Sequence, residues 1–222
     1  MPALEVRKNN YINSGYNANH HYELIYKESG YIQEYIRSIT DLIEYAAFSG
    51  GYNRPCFYCI RITPSIGFDG KQYTKIINAL IAKLSVGNPL YFSKVESNTT
   101  QDGVHFHIGL VLDRDFTSPR TLLSALKSLI KDGLITCHYV SRGSDHRLNL
   151  MYPIGYSDLT NINKTSIELY PTKSKPNLIA NAVYIGGYIA KVDTSVSQAE
   201  IGYQPVRTNF KKSMKTALNK AA

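Results

Sequence analysis

Two histidines interrupt an otherwise apolar run at residues 104–112, where His105 and His107 stand on either side of Phe106. The run is typical of a β-strand. A strand points alternate side chains to one face, so both imidazoles share a face. Imidazole is a common ligand of divalent metal ions, although most His-x-His pairs arise without one. The pair gains significance only from the residues around it.

A second β-rich run precedes the histidines, at residues 90–97, and the polar stretch 98–103 between the two runs predicts a hairpin. Two registers are open. The loop is either centred near Thr100 and Gln101, or it is a tight turn at Asp102-Gly103, which shifts the pairing by several residues.

The wider loop places Glu96 directly across from His105, with Cβ atoms about 5 Å apart, and Lys94 beside His107. Glu96, His105 and His107 then converge on one ion. Two nitrogens and one oxygen with free coordination positions suit a catalytic Mg²⁺, Mn²⁺ or Zn²⁺ better than a closed structural site. The tight turn would remove the carboxylate from this cluster.

A helix is predicted over residues 178–191, with Tyr184, Tyr188 and Lys191 on one face. Gly186 and Gly187 each cost about 1 kcal/mol in a helix interior, so they indicate close approach of another backbone or of a substrate. The chain has 18 tyrosines, and simple packing of core aromatics is the alternative explanation of the pair.

Three motifs, in this order, resemble the HUH endonuclease superfamily, the metal-dependent nickases that initiate rolling-circle replication. The strand at residues 57–64, ending in Thr63-Pro64, resembles the first motif of that family. Glu96 with the His105 strand resembles the second, and the stretch 188–191 resembles the third, Tyr-x2-Lys. Replication initiators and transposases share this order, whereas conjugative relaxases usually place the tyrosine before the histidines.

The resemblance implies sequence-specific nicking and rejoining of single-stranded DNA through a 5′-phosphotyrosine intermediate. It implies Tyr188 as the nucleophile, assisted by Lys191, and Mg²⁺ or Mn²⁺ held by the two histidines and Glu96. Tyr184 resembles the second tyrosine of two-tyrosine initiators, but Gly187 stands where its lysine would be. Tyr184 is therefore either a second nucleophile or a neighbour that positions DNA.

Candidate DNA contacts are polar or basic residues near these motifs and beside the stretch 143–146. They are Arg61, Thr63, Lys94, Arg142 and Arg147.

The composition agrees with a nucleic-acid partner without deciding it. With 25 Lys and Arg against 17 Asp and Glu, the formal charge is +8, and the sequence pI is about 9.2, a surplus that attracts polyanions. The end of the chain, residues 207–220, is rich in lysine and is either a nucleic-acid arm or a solvated helix. Its lysines are Lys211, Lys212, Lys215 and Lys220.

Apolar periodicity predicts the order strand, helix, strand, strand, helix, strand from residue 55 onward. This order is typical of an α+β fold with a ferredoxin-like (RRM-like) central antiparallel β-sheet and helices on one face, and the HUH endonuclease fold is of this kind. We expect an N-terminal extension with an amphipathic helix at 1–53, a nickase domain at 54–195 and a basic C-terminal tail at 196–222.

The sequence also sets expectations about partners and location. It contains no apolar run long enough for a membrane and no secretory signal, so we expect a cytoplasmic protein of a bacterial or archaeal host cell. It contains no phosphate-binding loop, so a separate host helicase would open the origin. Cys56, Cys59 and Cys137 lack a second pair for a zinc site and are expected to be reduced core residues.

Single-stranded DNA at a replication origin of a phage or plasmid is the expected partner. The alternatives are a single-strand transposase or relaxase of the same superfamily, and a non-catalytic basic domain that binds nucleic acid.

Overall fold

The computed structural model of the chain describes residues 3–4, 11–13, 21–24, 30–65, 69–98, 103–139, 166–168, 178–192, 195–211 and 214. The strands are β1 (Ala3–Leu4), β2 (Tyr11–Asn13), β3 (His21–Glu23), β4 (Tyr31–Ile32), β5 (Pro55–Pro64), β6 (Leu90–Asn98), β7 (Gly103–Asp113), β8 (Ile135–Tyr139), β9 (Ser166–Glu168) and β10 (Val206–Thr208). The helices are α1 (Gln33–Phe48), α2 (Gly70–Lys83), α3 (Pro119–Lys131), α4 (Leu178–Gly187) and α5 (Gln198–Ile201), with 3₁₀ turns at Ser85–Gly87 and Tyr188–Ala190.

The main sheet is antiparallel, in the order β10-β6-β7-β5-β8, and β9 also pairs with β5. Two smaller pairs, β1 with β4 and β2 with β3, lie outside it. From β5 to β8 the chain runs strand, helix, strand, strand, helix, strand. In the sheet, β5 lies between β7 and β8. This α+β arrangement is compatible with the predicted ferredoxin-like fold.

Side-chain caps begin two of the helices. The Asp69 side chain accepts a hydrogen bond from the Gln72 backbone N–H at 2.7 Å and begins α2. Ser118 does the same for Thr121 at 3.2 Å, followed by Pro119 at the first position of α3. These caps satisfy backbone donors that the first turn of a helix leaves unpaired.

The two helices of the predicted unit lie on one face of the main sheet, as expected, and two further helices cover the other face. The β7 side chains Phe106, Ile108 and Leu110 pack with α2 and α3. The opposite face, which carries His105 and His107, lies under α1 and α4. The second helical layer forms because the apolar face of α1 packs on apolar side chains of this face of the sheet.

The predicted boundaries at 53/54 and 195/196 do not coincide with breaks in the core. Ile36 and Ile39 of α1 belong to the same buried cluster as Phe57 of β5 and Phe210 near the end of the described chain. The β10 strand extends the sheet beside β6, so both predicted extensions contribute to one structure. Among the helices of the described residues, none has the length and apolarity that a membrane span requires.

Candidate active site

The hairpin adopts the register that unites the candidate metal ligands. Glu96 pairs with His105 and Lys94 with His107, and the hairpin closes with Asn98 opposite Gly103. The prediction of a wide loop is confirmed, and the tight-turn alternative is wrong. Antiparallel partners share a face, so the pairing itself places the carboxylate among the imidazoles.

The three candidate ligands are buried and their ligand atoms lie within 4.8 Å of one another. The Glu96 Oε2 atom is 3.2 Å from Nε2 of His107 and 3.6 Å from Nε2 of His105. Such a group of one carboxylate oxygen and two imidazole nitrogens is able to hold a divalent ion and leaves coordination positions for a substrate.

The hydrogen bonds of the Nδ1 atoms show whether each histidine is oriented to bind a metal through Nε2. The Nδ1 atom of His105 lies 3.3 Å from the Gly103 carbonyl oxygen, and a proton donated there leaves Nε2 free to bind an ion. His107 departs from this pattern, because its buried Nδ1 atom has no hydrogen-bond partner among the described residues. The donor set therefore fits a divalent ion, with one imidazole oriented by the protein and one not.

The Glu96 carboxylate is the negatively charged group that the imidazole and ammonium groups of the site contact. Its burial would raise its pKa, but His107, hydrogen bonds from both imidazoles and Lys94 hold the pKa well below its usual range. Burial lowers the pKa of His107 to about 4 although Glu96 opposes the change. At neutral pH Glu96 is ionised and His107 is neutral, which are the protonation states that metal binding requires.

Two ammonium groups complete the ion pairing of this carboxylate. The Lys94 Nζ atom is 3.2 Å from Glu96 Oε1, and the Lys191 Nζ atom is 3.3 Å from Glu96 Oε2. Burial would lower the pKa of Lys191, but Glu96 and Tyr188 outweigh it and raise the pKa. Lys191 is therefore a firmly protonated cation.

The predicted tyrosine and lysine meet, through a turn that the sequence did not predict. The α4 helix ends at Gly187, and Tyr188–Ala190 form a 3₁₀ turn instead of continuing the helix to residue 191. A 3₁₀ helix has three residues per turn, so the side chains of residues i and i+3 eclipse. Lys191 consequently donates a 2.8 Å hydrogen bond to the Tyr188 hydroxyl, and its Nζ atom is 4.0 Å from the ring centroid.

The tyrosine also reaches the metal cluster. The rings of Tyr188 and His107 meet edge to face with centroids 6.0 Å apart. Tyr184 lies one turn earlier, partly buried within α4. Tyr188 and Lys191, in the turn that follows α4, connect this segment to the cluster.

Glycines allow the tyrosine segment to lie close to the sheet. A Cβ atom on Gly186 would lie 2.9 Å from Ile39 and 3.0 Å from Phe57. A Cβ on Gly109, two residues after His107 on β7, would lie 3.3 Å from Ile189. The paired glycines were expected to mark a close approach, and in the structure the approaching groups are core side chains.

The turn after Tyr188 is fixed to β6. The Lys94 ammonium donates to the Lys191 carbonyl oxygen at 2.6 Å, and the Ser195 hydroxyl donates to the same oxygen at 2.6 Å. Ser195 also forms an isolated antiparallel bridge with Glu96. Neither Ser195 nor Gly109 was predicted as a site residue. Gly109 shares the alternation of the histidines and was identifiable from it, whereas Ser195 has no sequence signal.

The candidate DNA contacts occupy different environments. Arg61 pairs with His107 across β5 and β7, so Arg61 and Thr63, both partly buried, lie on the face of the metal cluster. Lys94 is only 1% exposed, and this burial places it among the groups that neutralise Glu96 rather than on a DNA-facing surface. Arg142 and Arg147 lie outside the described residues.

Two of the three cysteines agree with the expectation of a reduced core, and the side chain of Cys137 lies outside the described part of the structure. Cys56 and Cys59 are buried free thiols, and the three-residue spacing puts them on opposite faces of β5. Burial raises the pKa of Cys59, which faces the metal cluster, to about 12. Its thiol remains protonated at neutral pH.

Comparison with known proteins gives no match: no family model, no curated protein and no solved structure is significantly similar to this chain.

Proposed function

We propose that the chain is a metal-dependent tyrosine nickase that cuts and rejoins single-stranded DNA. The observation that supports this most directly is the continuous contact from Tyr188 through Lys191 to Glu96, at 2.8 Å and then 3.3 Å. A phenol, a cation and a candidate metal cluster are thereby placed within one buried region, as phosphoryl transfer to a tyrosine requires.

In the proposed reaction the Tyr188 hydroxyl oxygen attacks the phosphorus of a DNA phosphodiester. The bond from phosphorus to the 3′ oxygen breaks, so the products are a 5′-phosphotyrosine and a free 3′ hydroxyl. The proton lost from the phenol balances the one gained by the 3′ oxygen. The covalent link retains the phosphodiester bond, so rejoining needs no nucleotide cofactor.

Glu96, His105 and His107 would hold Mg²⁺ or Mn²⁺, which supplies a Lewis acid for the nonbridging phosphate oxygens. The Lys191 ammonium donates a hydrogen bond to the attacking oxygen and so places a positive charge beside the reacting atoms. Because its raised pKa keeps it protonated, Lys191 stabilises negative charge rather than accepting the phenol proton.

The substrate would approach along the strand that carries Arg61 and Thr63. Both residues lie on the cluster's face of β5, and Arg61 is directly beside His107 in the sheet. Guanidinium groups bind phosphate oxygens in a bidentate manner. The overall charge of +8 adds a general attraction for the polyanion.

The proposed biological role is initiation of rolling-circle replication of a phage or plasmid, at an origin that a separate host helicase opens. This role rests on the order of the three motifs, which argues against a relaxase. The Tyr-x2-Lys spacing argues against a single-strand transposase. The Tyr188–Lys191 contact is consistent with that spacing.

The test is formation of a covalent protein–DNA adduct. The chain is mixed with pooled single-stranded oligonucleotides and Mn²⁺, with a chelated control, and resolved by denaturing gel and peptide mass spectrometry. We expect a metal-dependent adduct on Tyr188 that Tyr188→Phe abolishes.

Matched substitution of the neighbouring tyrosine separates its two possible roles. Tyr184→Phe retains the first adduct in either case, and it blocks the return transfer if Tyr184 is the second nucleophile. An adduct that survives Tyr188→Phe and is lost in Tyr184→Phe would contradict the assignment. DNA binding without an adduct or a metal response would favour the non-catalytic binding domain.

A further inference from the structure

Among the residues that the structure describes, the groups of the candidate metal cluster contain more positive than negative charge before any metal ion is added. Its five groups are one carboxylate, two imidazoles and two ammonium groups, contributed by Glu96, His105, His107, Lys94 and Lys191. Both ammonium groups lie within 3.3 Å of the same carboxylate. A dication bound there would add to an existing surplus of positive charge.

Burial strengthens the repulsion between the two ammonium groups and a bound metal cation. Lys94 is 1% exposed and Lys191 is 6% exposed, so solvent screens their charges little. Each phosphodiester of DNA carries one negative charge, which would offset part of the surplus when DNA enters the site.

We propose that Lys94 makes metal occupancy depend on the DNA phosphate, because its buried charge weakens cation binding until the phosphate is present. This inference rests on the proposed function and concerns the regulation of the same site. Lys191 contacts Tyr188 and belongs to the proposed reaction, so Lys94 is the ammonium whose charge can be changed separately.

Lys94 also fixes the position of the groups around it. Its ammonium joins Glu96 Oε1 to the Lys191 carbonyl oxygen, so a variant that lost these bonds would disturb the cluster. The two consequences of replacing Lys94, a displaced set of ligands and the loss of one positive charge, predict opposite changes in the affinity for a cation. A disordered cluster binds a cation more weakly, whereas a cluster with one positive charge fewer binds it more tightly.

The experiment measures the Mn²⁺ dissociation constant by titration calorimetry in the Tyr188→Phe background, which prevents covalent attachment. Two substitutions are compared: Lys94→Met removes the charge and the hydrogen bonds, and Lys94→Gln removes the charge but keeps an N–H donor. Lys127→Met is the matched control, because this exposed lysine lies on α3, which packs on the opposite face of the sheet.

We expect pooled single-stranded oligonucleotides to lower the Mn²⁺ dissociation constant of the parent about tenfold. Without DNA, both Lys94 variants are expected to bind Mn²⁺ about threefold more tightly or better, and the Lys127 variant as the parent does. Equal or weaker binding in both Lys94 variants overturns the proposal. Equal affinity of the parent with and without DNA overturns it as well, even if the adduct forms. No Mn²⁺ binding under any condition would overturn the proposed function together with this inference.

Discussion

At the scale of single residues, Glu96 balances four neighbours. Its two oxygens face two imidazoles and two ammonium groups, and its side chain is fully buried. A buried charge that loses its partner costs several kcal/mol, far more than an exposed pair. The residue is thus required both for the proposed chemistry and for the stability of the fold.

Glu96→Gln is expected to abolish Mn²⁺ binding and to lower the free energy of unfolding by about 3–5 kcal/mol, because two buried ammonium groups lose their counterion. Urea denaturation and calorimetric titration measure the two effects. Asp115→Asn removes the carboxylate of the exposed pair with Arg54 and should change stability by less than about 1 kcal/mol. Unchanged Mn²⁺ affinity in the Glu96 variant would refute its role as a ligand.

His107 predicts how stability depends on pH. Its folded-state pKa is lowered from 6.5 to about 4 by burial, so between these values the unfolded chain binds a proton that the folded chain does not. The stability is therefore fully present above pH 6.5 and declines as the pH falls toward 4, by at most about 1.4 kcal/mol per pH unit for this proton.

Unfolding measured across this range would show the decline, and His107→Gln should make the curve shallower. A His107→Gln curve parallel to that of the unchanged chain would mean that other groups govern the acid response.

At the scale of elements, the sequence predicted what periodicity and capping determine. Ser118 and Pro119 begin α3, and the polar stretch 98–103 indicated a hairpin but left two registers open, of which the structure has the wider loop. The 3₁₀ turn was not predictable, since a lysine three residues after a tyrosine fits either type of helix. The short strands β9 and β10 escaped notice because three residues carry no periodicity.

Gly186→Ala is expected to destabilise the fold by about 1–2 kcal/mol net. Alanine gains about 1 kcal/mol of helix propensity, but its Cβ would lie 2.9 Å from Ile39 and 3.0 Å from Phe57, which requires repacking. Asn181→Ala, at an exposed position of the same helix, gains propensity without a clash and should be neutral or stabilising. Thermal melts compare the two, and an equally stable Gly186 variant would show that the core yields to the added methyl group.

At the scale of the whole molecule, one structure includes the segments that the sequence assigned to an extension and a tail. The motifs end near residue 192, whereas the buried apolar cluster also includes residues of α1 and Phe210. Phe57 and Phe92 on the sheet are buried in the same apolar cluster as Ile36 and Ile39 of α1. Sequence motifs indicate candidate functional residues, but they do not predict which helix packs on which face of the sheet.

A chain that begins at residue 54 is expected to lose cooperative unfolding, because the sheet face under α1 would be exposed to water. Dye binding and loss of near-ultraviolet circular dichroism would report the exposed core. A fragment that unfolds at the midpoint of the full chain would show that α1 contributes little.

The turn that carries Lys191 is also bonded to the strand that precedes α1. The Val192 N–H donates to the Gly30 carbonyl oxygen at 3.1 Å, and Tyr31 bridges to Lys191. An amide held in this way exchanges with deuterium only when both segments open together. The Val192 amide should therefore exchange only when the segment at Gly30 separates from the turn that follows α4. Motion of the Tyr188 side chain is then coupled to the separation of these two segments as well as to α4.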